Sequence, residues 1–298
     1  MKDFKDKVAV ITGGANGIGR GIANIAAKEG MKIVLADLEA DALSKAEDEL
    51  KAAGVAVLSV LTDVTKAEHV ENLAQKTIDT FGEVNLLCNN AGVVLPGPMW
   101  EHSLLDWKWI INVNFWGVIH GIRNFVPIML KQDNECHIVN TASLAGLMSG
   151  ETGTGIYAAT KHGVVALSEA LAGELEQANS KIKVSVFCPS FVNTTIMDCE
   201  RNRPDEYRGP DYMSATEKVI KNYPESKKTF EMLRRMFEAG LSPNQAGEII
   251  FQAIKDDAFY ILSHTDLMYK RNIKNRMNDI IQAFDQNKLY KQKILGSK

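Results

Sequence analysis

Short, almost wholly apolar segments recur along this chain, and longer segments with apolar residues at helical spacing separate them. Near-continuous apolar segments of this length are typical of strands that helices cover on both faces. Six such segments lie at 7–12, 32–37, 55–61, 85–90, 137–142 and 183–188, and a seventh candidate lies at 259–264. The alternation predicts an α/β fold with a doubly wound, parallel, seven-stranded sheet.

Two short motifs predict helix N-termini. Thr65 with Glu68 has the spacing of a capping box. Ser242 with Gln245 has the same spacing, and Pro243 takes the first helical position after it. Both sites are therefore expected to begin helices that follow or precede strands of the sheet.

The chain contains no internal repeat, low-complexity tract or linker, so we expect residues 1–298 to form one Rossmann-type domain. Residues 191–241 are long and polar, with an apolar stripe at helical spacing that predicts an amphipathic helix over the cleft, a substrate lid. The stripe consists of Phe230, Leu233, Met236 and Phe237. Residues 265–298 hold eight Lys or Arg and three Asp, which predicts a mildly basic helical extension packed on a subunit surface.

Composition limits the possible functions. With 45% hydrophobic residues the chain can bury a core, and its net charge of −3 argues against a nucleic-acid-binding surface. No apolar run approaches the roughly 18–20 residues that span a bilayer, and the N-terminus lacks the pattern of a signal peptide. The four cysteines have no CxxC spacing, so we expect no disulfide and no metal site. These features predict a cytoplasmic protein.

A glycine-rich stretch, TGGANGIG at 12–19, separates the first predicted strand from a helix. Glycine allows a close backbone approach to a ligand, and the N–H groups of a helix start bind pyrophosphate. Asp37 ends the second strand, where a carboxylate accepts hydrogen bonds from the ribose hydroxyls of NAD and repels the 2′-phosphate of NADP. It could instead cap the next helix. Leu38 and Asn16 offer that phosphate no cation, and Arg20 is the only nearby candidate, so the pattern favours NAD.

Tyr157 and Lys161 lie four residues apart in a predicted helix that is otherwise rich in Ala, Val, Leu and Gly. Residues at this spacing share a helix face. The pair is either a half-buried aromatic ring covered by a lysine stem or a general acid next to a cation. The two residues alone leave both interpretations open.

The motifs taken together resemble those of the short-chain dehydrogenase/reductase family over residues 5–195, and most closely those of hydroxysteroid and secondary-alcohol dehydrogenases. The glycine stretch matches the family's TGxxxGxG loop, Asn89–Gly92 match its Asn-Asn-Ala-Gly, and YAATK matches its Tyr-x-x-x-Lys. The family's Pro-Gly after the sixth strand is Pro189-Ser190 here, which is a departure near the nicotinamide.

The resemblance assigns roles to individual residues. The catalytic set that it implies is Asn114, Ser143, Tyr157 and Lys161. The cofactor-binding set that it implies, together with the glycine and Asp37 arguments, is Gly13, Asn16, Gly17, Ile18, Gly19, Asp37, Leu38, Asp63, Val64, Asn90, Ala91, Gly92, Tyr157, Lys161, Pro189, Val192 and Thr194.

In the implied reaction Tyr157 is the general acid or base of a reversible hydride transfer between NAD and a secondary alcohol or ketone. A cation about 4 Å from the phenolate, at an effective dielectric constant near 20, stabilises it by roughly 4 kcal/mol. That energy lowers the tyrosine pKa from about 10 by up to about 3 units. Ser143 holds the substrate oxygen, and Asn114 orders a proton relay through Lys161.

The apolar content of 191–241 favours a bulky hydrophobic substrate, such as a steroid. The alternatives are a small polar alcohol, a polyol or a 3-ketoacyl group, and, in another class, a non-catalytic NAD-binding sensor or scaffold. The resemblance also implies a homo-oligomer, a tetramer, that associates through two long helices at 103–131 and 154–179. Beyond a small-molecule substrate and these copies, no nucleic acid or membrane partner is expected.

Overall fold

A computed structural model describes residues 1–148 and 153–296 of the chain. The seven strands are β1 (Val8–Thr12), β2 (Lys32–Asp37), β3 (Val57–Leu61), β4 (Leu86–Asn89), β5 (Cys136–Thr141), β6 (Ile182–Cys188) and β7 (Tyr260–Leu262). They form one parallel sheet in the order β3-β2-β1-β4-β5-β6-β7. The predicted seven-stranded doubly wound sheet is confirmed.

Helices cover both faces of this sheet. Those of the described residues are α1 (Gly17–Lys28), α2 (Ala40–Ala52), α3 (Ala67–Phe81), α4 (Leu104–Ile111), α5 (Gly117–Gln132), α6 (Gly155–Gln177), α7 (Ala215–Asn222), α8 (Ser226–Glu238), α9 (Pro243–Lys255) and α10 (Leu267–Leu295). Because α1, α2 and α9 pack on one face and α3, α5 and α6 on the other, β1, β4 and β5 are buried along their whole length. This explains why the strand segments are apolar on both faces.

Strand order reverses between β1 and β4, which lie side by side at the centre of the sheet. The loops that follow these two strands diverge at this point and leave a crevice at the carboxyl edge, where open α/β sheets bind their ligands. The fold therefore places the loops after β1, β4, β5 and β6 around one cleft.

The two predicted helix caps have different outcomes. Ser242 caps α9 in a capping box with Gln245, with proline at the first helical position, as predicted. The prediction at Thr65 is wrong, because α3 begins at Ala67 after Lys66, which makes no side-chain capping bond. The backbone N–H of Thr65 instead donates to Asp63 in a tight turn that delays the start of the helix.

The segments after β6 are helical, as predicted. Residues 191–241 contain α7 and α8. In the apolar stripe of α8, the side chains of Leu233, Met236 and Phe237 line the cleft. The C-terminal extension is the helix α10, which packs on the body only through its first turns, around Tyr269 and Ile273. From 277 to 296 every residue is exposed. The last two residues of the predicted extension lie outside the described residues.

Candidate active site

A cleft of about 750 Å³ lies at the carboxyl edge of the sheet, between the loops that follow the strands and the segment 191–241. The loops after β1, β2 and β4 form one end of the cleft, and those after β5 and β6 form the other. Helix α8 and the first turns of α10 close its outer wall. All the candidate chemistry described below belongs to this cleft.

The glycine stretch after β1 brings backbone unusually close to backbone. Gly13 has φ +64°, and a Cβ atom there would lie 3.0 Å from the Cα atom of Ala91. A Cβ atom on Gly19 would lie 2.0 Å from the carbonyl oxygen of Gly13. Side chains at these positions would therefore disrupt the turn that leads into α1, whose N-terminus is positioned to bind a pyrophosphate.

Asp37, at the end of β2, accepts two backbone hydrogen bonds. Its Oδ2 atom accepts from the N–H of Ala15 at 3.0 Å, and its Oδ1 atom accepts from the N–H of Glu39 at 3.1 Å. Each carboxylate oxygen can accept a second bond, which leaves acceptor sites for two ribose hydroxyls. Burial raises the pKa of this carboxyl, and the backbone bonds oppose that rise. The N-cap position of α2 is Glu39, whose side chain makes no capping bond, so Asp37 does not occupy the N-cap position and the capping interpretation is wrong.

The loop after β5 and the first turns of α6 bring the predicted catalytic side chains together. Ser143 and Tyr157 line the same cleft, and the ammonium nitrogen of Lys161 lies 5.6 Å from the centre of the Tyr157 ring. Ser143 is itself buried, where its Oγ atom accepts a hydrogen bond from the N–H of Ala145 at 3.1 Å. The arrangement places a hydroxyl, a phenol and a cation around one point.

Lys161 is an unusual cation because only 3% of it is exposed. Its ammonium donates a hydrogen bond to the carbonyl oxygen of Thr141 at 2.9 Å. Removal from water lowers the pKa of Lys161 to about 8, so the side chain is still mostly protonated at neutral pH. A positive charge therefore persists beside the phenol of Tyr157.

Asn114 lies in a π-helical turn, Asn112–Trp116, between α4 and α5. Such turns widen a helix locally and often occur at functional sites. Its side-chain amide is fully buried: Oδ1 accepts from the N–H of Val93 at 2.8 Å, and Nδ2 donates to the carbonyl oxygen of Val93 at 2.8 Å. A Cβ atom on Gly92 would lie 3.4 Å from both Asn114 Oδ1 and Lys161 Nζ, so Asn114 and Lys161 meet behind this glycine.

The structure brings almost all of the predicted site residues to this cleft. Those that line it are Gly13, Asn16, Gly17, Ile18, Asp37, Leu38, Asp63, Val64, Asn90, Ala91, Gly92, Ser143, Tyr157, Lys161, Pro189, Val192 and Thr194. Gly19 and Asn114 do not line it, because Gly19 packs beneath the glycine turn and Asn114 lies behind Gly92. Gly19 and Asn114 therefore support residues that line the cleft without lining it themselves.

The prediction that Arg20 is the only nearby candidate cation at the ribose end is wrong. Arg20 bonds the carbonyl oxygen of Ala46 and the carboxylate of Glu49, away from the cleft. Among the described residues, the cation that lines the ribose end of the cleft is Arg201, which pairs with Glu39 at 2.6 Å. Sequence reasoning missed both residues of this pair because they lie 162 positions apart and belong to no motif.

A second group that the sequence did not reveal surrounds Ser190, the residue that replaces the family's glycine. Its Oγ atom lies 2.7 Å from the hydroxyl of Tyr269 in α10, and its N–H donates to Ser263 Oγ at 3.0 Å. Tyr269 lines the cleft, and its ring contacts that of His264 edge to face. The departure at Ser190 therefore fastens the C-terminal helix to the substrate end of the cleft.

The outer wall of the cleft is mostly apolar. Its lining consists of aromatic rings, aliphatic side chains and methionines. These residues are Trp109, Val113, Phe191, Met197, Leu233, Met236, Phe237 and Met268. Methionine adapts its shape to irregular ligands. This part of the cleft, which Tyr157 also lines, is thus suited to an apolar molecule.

The part of the chain that the structure describes has neither a membrane-spanning helix nor a cluster of metal ligands. No helix there is both long and apolar enough to cross a membrane. No group of three or more His, Cys, Asp or Glu side chains there is arranged to hold a metal ion. All four cysteines are free and buried.

The chain is similar to known proteins over most of its length. The sequence model of the short chain dehydrogenases matches residues 7–205. A CLA biosynthesis dehydrogenase/reductase of Lactiplantibacillus plantarum is 36% identical over 94% of this chain and 95% of its own length. A C alpha-dehydrogenase of Sphingobium sp. is 35% identical over 90% of this chain and 83% of its own length.

A solved structure extends this likeness to three dimensions. A short chain dehydrogenase/reductase from Burkholderia phymatum, in complex with NAD, superposes with a TM-score of 0.87 and 42% sequence identity, covering 95% of this chain and 97% of that one. Sequence, fold and the clustered Ser143, Tyr157 and Lys161 agree. The chain belongs to the short chain dehydrogenase family and is an oxidoreductase that acts on CH–OH groups.

Proposed function

We propose that this protein is an NAD(H)-dependent dehydrogenase/reductase for a bulky, hydrophobic secondary alcohol or ketone of steroid-like size. The observation that carries the substrate class is the apolar lining that 191–241 and α10 contribute to the cleft, which Tyr157 also lines. A pocket of this kind gains affinity from apolar area removed from water. A small polar alcohol or polyol would leave that wall in contact with water.

The residues present fit a nicotinamide dinucleotide. Gly13 and the start of α1 receive the pyrophosphate, and Asp37 has two acceptor sites for a ribose. Glu39, which also lines this end, adds a second carboxylate that disfavours a 2′-phosphate. The cofactor is therefore NAD, as it is in the complex of the Burkholderia phymatum relative. When bound, the nicotinamide accepts or supplies the hydride.

The chain's own residues supply proton chemistry and positioning. Tyr157 gives a proton to the substrate oxygen during reduction and takes it back during oxidation. The buried charge of Lys161 stabilises the phenolate that remains, because charges interact strongly where water is excluded. Ser143 donates a hydrogen bond to the substrate oxygen, and Asn114 holds the backbone beside Gly92 and Lys161 in place.

The alternative substrate classes can be compared by how they would fit the apolar wall. A 3-ketoacyl group attached to a carrier would also place an apolar chain against the wall, so it is the second candidate. A diacetyl reductase of Staphylococcus epidermidis is also similar to this chain, at 35% identity over 64% of this chain and 74% of its own length, and it supports a small polar ketone as the remaining alternative. The non-catalytic sensor has no support, since the predicted catalytic residues are all present and buried or cleft-lining.

A substrate panel tests the proposal. NADH oxidation is followed by absorbance with steroid ketones, aryl ketones, 3-ketoacyl thioesters, diacetyl and simple sugars, each at equal concentration. We expect the highest kcat/KM for a steroid or another large apolar ketone. Highest kcat/KM for diacetyl or a sugar would overturn the substrate class, and turnover only with the thioesters would favour the second candidate.

We further propose a cytoplasmic homotetramer that associates through α4–α5 and α6, with 191–241 acting as a substrate lid. Trp100, Leu104 and Trp116, near the start of this helical region, leave apolar surface exposed that a second copy would cover. Sedimentation at micromolar concentration should show a species about four times the 32.9 kDa chain mass.

A further inference from the structure

The carboxylate of Glu39 accepts hydrogen bonds from side chains on both walls of the cleft. From 191–241, Arg201 Nη2 and Asn202 Nδ2 each lie 2.6 Å from Glu39 Oε1. From the glycine stretch, Asn16 Nδ2 lies 3.3 Å from the same oxygen. One carboxylate oxygen of the loop after β2 therefore joins the glycine stretch to the segment that covers the cleft.

This bridge lies at the ribose end of the cleft. All four of its side chains line the cleft together with Asp37, and the N–H of Glu39 donates to Asp37 at 3.1 Å. A ribose held by Asp37 thus shares its cavity with the guanidinium of Arg201. The bridge spans the same part of the cleft that an adenosine would occupy.

Arg201 is held firmly on its own side of the cleft. Its Nη1 atom donates to the carbonyl oxygens of Asp198 at 3.0 Å and Thr195 at 3.2 Å, and Nη2 also contacts Thr195 Oγ1 at 3.2 Å. Glu39 is its partner across the cleft, and that pairing neutralises its charge. A guanidinium is otherwise well suited to a phosphate, because it offers several N–H donors in one plane.

We propose that Glu39 is a specificity-determining residue that acts through Arg201, and that the Glu39–Arg201 bridge is a latch over the bound dinucleotide. While the bridge is intact, the guanidinium is engaged and a carboxylate faces any 2′-phosphate. Without Glu39, Arg201 becomes a phosphate ligand at the same place. The inference rests on the proposed NAD binding and is independent of the substrate.

Four proteins test this inference: wild type, Glu39→Ala, Arg201→Met and the double variant. Affinities for NADH and NADPH are measured by nicotinamide fluorescence, and NADH dissociation rates by stopped-flow displacement. For Glu39→Ala we expect NADPH to bind about tenfold more tightly, the gain of one charged contact. Arg201→Met should show no such gain, and the double variant should lose it.

The latch predicts a separate kinetic effect. Both single variants should release NADH about two- to fivefold faster than wild type, because a partly exposed ion pair contributes a modest stabilisation. Arg234→Met is the matched control: its pair with Asp198 at 2.8 Å also lies in 191–241 but does not contact Glu39. This control should release NADH at the wild-type rate.

Two outcomes would overturn the inference. One is equal NADPH affinity in Glu39→Ala and the double variant, which would mean that Arg201 does not bind the phosphate. The other is an NADH dissociation rate in Arg201→Met that equals that of wild type. Failure of the proposed cofactor itself would look different, since wild type would then show no fluorescence change with NADH.

Discussion

The floor of the cleft, formed by the loops after the strands and the first turns of α6, buries one cation, Lys161. The base of the segment 191–241, around Arg203, buries another. The two cations differ in whether carboxylates pair with them. On the floor, Lys161 is 3% exposed and bonds a backbone carbonyl, and no described carboxylate forms an ion pair with it. At the base of 191–241, Arg203 is also 3% exposed but lies 2.6 Å from Asp106 and 3.5 Å from Glu200. Among the described residues, no carboxylate pairs with Lys161, whereas two carboxylates pair with Arg203.

The pKa values follow from this difference. Desolvation lowers the pKa of Lys161, and no described carboxylate forms an ion pair that would restore it. At the other site, burial alone would raise the pKa of Asp106, but its contacts with His102 and Arg203 hold that pKa well below its ordinary value. An unpaired buried charge costs stability, and a chain that keeps one does so where the charge acts on chemistry.

The paired cation has a structural task. Its guanidinium lies 5.0 Å from the ring of Trp109 in α4 and 5.1 Å from that of Tyr212, and it donates to the carbonyl oxygen of Tyr207. Arg203 thereby fastens the start of 191–241 to the body. Motion of this segment is then expected in the exposed helix α8 rather than at its base.

The largest expected effect is on the floor of the cleft. Replacing Tyr157 with Phe removes only the hydroxyl that transfers the proton, so turnover should fall by about 10²–10⁴-fold while NADH binding changes little. Steady-state rates and fluorescence titration with NADH measure the two properties. A variant that kept more than about a tenth of the wild-type rate would disprove the acid–base role.

The next largest effect is a loss of folding stability at the base of 191–241. Arg203→Met leaves the buried carboxylate of Asp106 without its main partner, which typically costs about 3–5 kcal/mol. Chemical denaturation measures the change. Arg208→Met is the control, since Arg208 is partly exposed and pairs with the exposed carboxylate of Asp205, and its cost should stay below about 1 kcal/mol.

The pH dependence of this loss has a definite sign. A carboxyl whose pKa is depressed in the folded state stabilises the protein above its unfolded-state pKa, and that stabilisation is lost as the pH falls through the folded-state value. In Arg203→Met, loss of the guanidinium should bring the pKa of Asp106 closer to its ordinary value, while His102 and Ser103 continue to lower it. The stability difference from wild type should therefore be complete at pH 7 and shrink as the pH falls through the pKa of Asp106 in the variant. A difference that stays the same in strong acid would contradict the pairing.

A smaller effect is expected at the ribose end of the floor. Asp37→Ala combined with Leu38→Arg removes a repulsive carboxylate and adds a phosphate partner, so the preference for NADPH over NADH should rise by about 10- to 100-fold. The ratio of kcat/KM values with the two cofactors measures it. A wild type that already prefers NADPH would show that Arg201, rather than Asp37, governs the choice.

The two regions also differ in how much their sequences reveal. The floor is built from local motifs: the glycine stretch, Asp37 and the Tyr157–Lys161 pair each follow a strand or share a helix face, so their spacing predicts where they lie, and the family resemblance supplies their roles. The contacts of Arg203 and Arg201 join residues far apart in the chain, with Asp106 and Glu39 as partners. Charged pairs of this kind have no periodicity, and only the packed fold brings them together.

The predicted start of α3 was wrong for a related reason, because it depends on a contact that the motif does not show. The Thr65 capping pattern is correct in spacing, but the turn held by Asp63 starts α3 later than the pattern predicts. In the predicted apolar stripe of α8, Leu233, Met236 and Phe237 line the cleft but Phe230 does not. The helical period thus predicted the face of α8, while the position of its first member was wrong.

The smallest expected effect concerns Ser190, where the floor meets the C-terminal helix. Tyr269→Phe removes a hydroxyl that lies 2.7 Å from Ser190 Oγ. A single hydrogen bond of this kind contributes about 0.5–1.5 kcal/mol, so KM for the best ketone should rise by roughly two- to tenfold with kcat nearly unchanged. Tyr290→Phe, in the exposed part of α10, should leave KM at the wild-type value.

A double-mutant cycle decides whether this contact is what matters. Ser190→Gly restores the family's glycine and should raise KM by the same factor as Tyr269→Phe. If the two hydroxyls act only through each other, combining the changes should add nothing further. Independent, multiplying effects would mean that Tyr269 binds the substrate directly and that Ser190 has a separate role. In that case the C-terminal helix would belong to the variable wall that selects the substrate, together with 191–241, rather than to the floor that the motifs describe.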